Sequence, residues 1–143
     1  MKTVSLLSAQ KLISLPWFGG FVVNFILFLM HTRYQVYKGV EKEAWSWFLP
    51  TMIPSISIIL GTIIYDVVKK PANKTRVDKF SLWLTFGFSL LYLVVLLITI
   101  ASAANFAGTG TQPLAFLQSS SIYLNPLQGL VGLTLGAFYV SRK

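Results

Sequence analysis

Residues 80–104 read FSLWLTFGFSLLYLVVLLITIASAA, an apolar stretch that contains no Lys, Arg, Asp, Glu or His. A helix needs roughly 20 residues to cross the hydrocarbon core of a bilayer, which is about 30 Å thick. Buried helices of a large soluble protein can be equally apolar, but a chain of 143 residues lacks the material to cover several of them. The stretch therefore predicts a transmembrane helix.

Further apolar stretches lie on both sides of it, at residues 15–33, 47–68 and 122–140. Apolar residue types make up 55% of the chain and charged types only 11%, whereas ordinary globular chains are about 25% charged. We therefore predict an all-α fold, an integral membrane four-helix bundle with short loops. The whole chain, residues 1–143, is expected to form a single four-span transmembrane domain.

The basic residues predict the orientation of this domain. The second connection and the two chain ends carry nine of them, Lys2, Lys11, Lys69, Lys70, Lys74, Arg76, Lys79, Arg142 and Lys143. The first connection carries three, Arg33, Lys38 and Lys42, and the third carries none. Because cytoplasmic loops are enriched in Lys and Arg, we expect both the N- and C-termini in the cytoplasm. The expected location is a bacterial inner (cytoplasmic) membrane.

The flanking segments leave two alternatives open. Residues 1–14 mix apolar residues with Ser, Gln and Lys, which fits either an amphipathic interfacial helix or a frayed tail. Pro16 suits the start of the first helix, since its missing N–H is not needed there. Pro126 is expected in the first turn of the fourth helix, and becomes a kink if that helix begins earlier.

Polar and small residues recur at helical spacing in each stretch, so each set is expected on one helix face that packs against protein. The intramembrane polar residues singled out are Asn24, Ser55, Thr62 and Ser89. The fourth stretch carries Asn125, Gln128, Gly129, Gly132 and Gly136, with a GxxxG pair at its end. Close helix packing, within the bundle or between subunits, explains such a face. The alternative is a face that lines a water path or gate.

Several functional classes are disfavoured by what the sequence lacks. The chain has no cysteine, one histidine and four acidic residues, so we expect no metal site and no cofactor. No nucleophile is accompanied by a base, so no catalytic residues are predicted and the protein is not expected to be an enzyme. Asp66 lies beside the basic connection and is expected to pair with Lys69 or Lys70.

The positive charges lie between apolar stretches and not across a folded polar face, so direct nucleic-acid binding is not expected. The leading expectation is a small, homo-oligomeric membrane subunit, an anchor, sensor or scaffold. Its basic loop 69–79 would contact anionic lipid headgroups or a soluble cytoplasmic protein. The alternative is a homo-oligomeric pore, channel or membrane-perturbing effector, such as those of bacterial defence or toxin systems.

Overall fold

The computed structural model describes residues 3–69, 76–107 and 112–140. These residues form four long helices: α1 (Leu6–Arg33), α2 (Glu41–Lys69), α3 (Lys79–Ala103) and α4 (Gln112–Val140). A single turn of 3-10 helix, Ala104–Phe106, follows α3, and two short strands, β1 (Thr3–Ser5) and β2 (Arg76–Asp78), precede α1 and α3. The all-helical class is confirmed, with a small strand pair added to it.

Local sequence signals mark where the first two helices begin. The Ser5 hydroxyl accepts a hydrogen bond from the backbone N–H of Ser8 at 3.3 Å and so caps the start of α1. The chain then turns into α2 through Gly39, whose φ of +83° favours glycine. The Glu41 carboxylate accepts a hydrogen bond from the Gly39 N–H at 3.1 Å. Its negative charge also suits the N-terminal end of the α2 dipole.

The two short strands show how the helices are arranged. Strands β1 and β2 pair antiparallel, with Val4 opposite Val77, so α1 and α3 begin at the same end of the bundle. At that end the Gln10 amide of α1 donates a hydrogen bond to Asp66, near the end of α2. Consecutive helices therefore run in opposite directions. Around the bundle the order is α1, α3, α4, α2, with the most extensive contact between α3 and α4 and a much smaller one between α1 and α2.

The helices extend beyond the spans expected from the sequence. Helix α1 begins at Leu6, so the segment expected to be interfacial or frayed continues directly into the first span, and its Ala9 and Ile13 are buried in the bundle. Helix α4 begins at Gln112, well before residue 122. Pro16 and Pro126 consequently lie inside helices and not at their starts. Neighbouring helices and polar side chains make such prolines tolerable in a membrane bundle.

The outer surface of the bundle is apolar over much of its length. Three helical segments are long and apolar enough to cross a membrane, Leu6–Arg33, Glu41–Asp66 and Lys79–Phe106. A membrane location is thus supported by length and composition. Helix α4 is as long as α2, but it is not among these three segments of the described chain, and Ser, Asn and Gln residues interrupt its apolar sequence.

Candidate functional site

Three of the four polar faces expected from the sequence point into the bundle. Asn24 of α1, Ser55 of α2 and Ser89 of α3 are all buried. Thr62 is half-buried, and its hydroxyl donates to the Ile59 carbonyl of its own helix at 2.7 Å. Because a polar group facing hydrocarbon is costly, this arrangement suits helices that are surrounded by lipid.

The polar face of α4 has a different position. Asn125 and Gly129 are exposed, and Gly132 and Gly136 are half-exposed. A Cβ atom added at any of these three glycines would meet nothing within 4 Å. The core-facing side of α4 is instead formed by its large apolar residues, Leu124, Val131, Leu135 and Phe138. The GxxxG face is therefore not used for packing within one chain.

Gln128 is the exception on α4, since its side chain turns towards α2. Pro54 has no N–H, so it cannot donate the usual helical hydrogen bond to the carbonyl four residues earlier, at Pro50. The Gln128 Nε2 donates to this carbonyl at 2.9 Å and lies 3.4 Å from the Thr51 carbonyl. The face that includes Gln128 was expected to pack within the bundle or between subunits, or to line a water path, and the structure places Gln128 in a contact within the bundle.

Other side chains link the remaining helix pairs. The Tyr92 hydroxyl of α3 donates to the Thr51 carbonyl of α2 at 2.6 Å. The Thr85 hydroxyl of α3 donates to the Thr134 carbonyl of α4 at 3.2 Å, and the Trp47 indole of α2 donates to the Ser121 hydroxyl of α4 at 3.0 Å. Polar contacts therefore occur at both ends and in the middle of the α2–α3–α4 part of the bundle.

The contact between α1 and α3 is different. Trp17 stacks on Tyr92 with ring centroids 5.9 Å apart, and no side-chain hydrogen bond joins these two helices in the part of the chain that the structure describes. Three buried atoms on these two helices have no hydrogen-bond partner among the described residues, Trp17 Nε1, Asn24 Oδ1 and Ser89 Oγ. Such atoms are rare in folded proteins, so α1 and α3 retain unused hydrogen-bonding capacity.

Among the described residues, exposed basic side chains lie at both ends of the bundle, with Arg33, Lys38 and Lys42 at the end where α1 finishes and α2 begins. Lys11, Arg76 and Lys79 have exposed side chains at the end where α1 and α3 begin. The backbone of Lys69 ends α2 at the same end, whereas Lys70 and Lys74 lie outside the described residues. Asp66 is buried and accepts a hydrogen bond from Gln10, and the side chains of Lys69 and Lys70, its expected partners, lie outside the described residues. The contact with Gln10 was not predicted, because residues 1–14 were interpreted either as an interfacial helix or as a frayed tail.

At the opposite end of the bundle, aromatic residues of α1, α2 and their connection form a cluster. Phe28 stacks on Phe48 with ring centroids 4.5 Å apart and on Tyr37 at 5.1 Å. The Tyr37 hydroxyl lies 3.5 Å from Nδ1 of His31. Burial raises the pKa of Tyr37 above its usual value, so its hydroxyl remains neutral at physiological pH. The cluster therefore packs the connection between α1 and α2 against both helices.

Within the described ranges, no group of three or more His, Cys, Asp or Glu side chains is placed to hold a metal ion. Comparison with protein-family models, with curated proteins and with solved structures gave no match for this chain. The functional interpretation therefore rests on the geometry of the bundle itself.

Proposed function

We propose that the chain is a small, non-enzymatic membrane subunit that crosses the bilayer four times and assembles with copies of itself through the outer face of α4. The observation that carries the proposal is Asn125. It is exposed close to the middle of α4, where a lipid-facing amide would lack a hydrogen-bond partner. Packing against a second copy removes this penalty.

The neighbouring glycines support the same face. Gly129, Gly132 and Gly136 leave open space where a side chain would lie, so two α4 backbones can approach closely. Small residues spaced by three and four positions are characteristic of contacts between membrane helices. A fourth crossing also returns the C-terminus to the side of the N-terminus, in agreement with the charge distribution along the chain.

In this proposal the basic end of the bundle faces the cytoplasm and acts as the docking end. Lys11, Arg76 and Lys79 are exposed there, and the connection 69–79 adds Lys69, Lys70 and Lys74. Each basic residue close to an anionic leaflet contributes about 1 kcal/mol of attraction. The loop would thereby bind anionic headgroups or an acidic soluble protein, and the oligomer would serve as its anchor or scaffold in a bacterial inner membrane.

The assembly can be tested by replacing Gly132 and Gly136 together with Leu. The added side chains hold the two α4 backbones apart, so we expect the mass of the purified protein, measured by light scattering in detergent, to fall to that of one chain. Gly87→Leu is the matched control, because Gly87 is exposed on α3 and has nothing near its Cβ position. An unchanged mass in the double variant, or an equal loss in the control, would contradict the proposed interface.

A pore built from the same contact is the second candidate, and the exposed amide of Asn125 favours it. The engagement of Gln128 by the Pro50 carbonyl counts against it, because that amide is not available to line a water path. Ion or dye flux from liposomes containing the purified protein separates the two functions. Leakage that is lost in Asn125→Leu would support the pore, and tight liposomes would support the anchor or scaffold.

A further inference from the structure

A crevice of about 240 Å³ opens on the surface between α1 and α3. It lies near the middle of both helices and is lined mainly by apolar side chains, among them Pro16, Val23, Leu90, Leu93 and Val94. Val23, Leu90 and Val94 are also exposed on the outer surface. In a membrane, such a crevice is reached from the lipid and not from water.

Asn24 gives the crevice its one strong polar feature. Its side chain is among those that line the crevice and is 1% exposed. The Nδ2 donates to the Gly20 carbonyl at 2.8 Å, whereas Oδ1 has no hydrogen-bond partner among the described residues. An acceptor buried without a donor is destabilising, because it has lost its hydrogen bonds to water without gaining another. A ligand that brings one donor would recover that loss.

Size and chemistry together limit the occupant. Drug-sized ligands fill pockets of about 300–1,000 Å³, so this smaller crevice suits a slender molecule. It is nevertheless much larger than the roughly 30 Å³ occupied by a single water molecule. The apolar walls suit hydrocarbon, and Oδ1 of Asn24 can accept one hydrogen bond, which a hydroxyl group supplies without carrying a charge.

We propose that this crevice binds a slender, membrane-soluble molecule with a single hydroxyl group, in chemical class a long-chain alcohol, whose hydroxyl donates to Oδ1 of Asn24. Leu93 acts as the gate. Its side chain lies over Gly20, with a Cδ atom 2.9 Å from the position that a Cβ at Gly20 would take. A change of its rotamer opens the way from the crevice to Asn24.

The test uses a long-chain alcohol that carries a photoreactive diazirine, and the methyl ether of the same chain, which lacks the donor. After illumination of the purified full chain, we expect the alcohol to label peptides of α1 and α3 around Val23 and Leu90. Unlabelled alcohol should suppress this labelling. The ether should label at least about threefold less, in line with the net contribution of one hydrogen bond.

A pair of neighbouring valines provides the matched variants. Val22 and Val23 are each 52% exposed on α1, but only Val23 lines the crevice. Val23→Phe should reduce labelling severalfold by filling the crevice, and Val22→Phe should leave it unchanged. Asn24→Leu should abolish the preference for alcohol over ether. Helix content and elution volume verify that each variant is folded.

Two results would overturn the proposal. The first is equal labelling by alcohol and ether in the unmodified protein, since the donor would then be irrelevant. The second is equal labelling of Val23→Phe and Val22→Phe, because the label would then report lipid around the bundle and not an occupied crevice. Both results come from proteins that retain Asn24, so they test the proposal even if Asn24→Leu does not fold.

Discussion

A proline inside a helix leaves one carbonyl without its usual donor, and in α2 a side chain of α4 fills that position. Pro54 frees the Pro50 carbonyl, and Gln128 donates to it at 2.9 Å. Pro54 and Gln128 can both be read from the sequence, but the contact between their helices depends on which helix lies beside α2. Spacing within one helix cannot supply that information, so the sequence only placed Gln128 on the same helix face as Asn125 and Gly129.

This contact predicts a coupling between two substitutions. Gln128→Leu should lower the free energy of unfolding by about 1 kcal/mol, because the Pro50 carbonyl loses its donor. In a Pro54→Ala background the restored N–H of residue 54 satisfies that carbonyl, so the same substitution should cost at most half as much. Unfolding in SDS, followed by circular dichroism, measures the free energy of unfolding of the parent protein, the two single variants and the double variant. Equal costs in the two backgrounds would show that Gln128 acts independently of the proline.

The helices themselves were predictable because apolar composition and length are enough to define them, whereas their ends were not. Prolines misled the assignment at both termini of the chain. Pro16 was taken as a start although the buried residues Leu6, Ala9 and Ile13 continue the helical spacing before it. Pro126 was expected in the first turn of α4. The proline at the start of that helix is instead Pro113, which directly follows Gln112, the first helical residue.

The β1–β2 ribbon is the element that no sequence pattern suggested, because three residues are too few to show an alternation. It predicts a specific cross-link in a chain that has no native cysteine. Val4→Cys with Val77→Cys, which face each other, should form a disulfide under mild oxidation in membranes. The extent of disulfide formation is measured as the loss of maleimide labelling under denaturing conditions.

The control shifts one partner by a single position. Val4→Cys with Arg76→Cys should stay reduced, because neighbouring strand residues point to opposite faces. If both pairs are oxidised equally, the two segments move freely past each other and the ribbon does not hold the starts of α1 and α3 together.

At the scale of the whole molecule, the alternating helix directions predict which positions share a side of the membrane. Lys79 and Lys38 are exposed at opposite ends of the bundle, and each can be replaced by cysteine. An impermeant maleimide should label Lys79→Cys only from the cytoplasmic side and Lys38→Cys only from the outside. A tag at the C-terminus should be accessible from the cytoplasmic side, like a tag at the N-terminus. If the two tags are accessible from opposite sides, α4 does not span the membrane.

The packing order around the bundle has a consequence for how the protein is made. Helices α1 and α2 are synthesised first, yet they share the smallest contact among the neighbouring helix pairs around the bundle. The larger partner of α1 is α3, which follows only after the basic connection. In the proposed four-span topology, Trp17 lacks its stacking partner Tyr92 until α3 enters the bilayer. The first hairpin would therefore be incompletely packed until the second hairpin joins it.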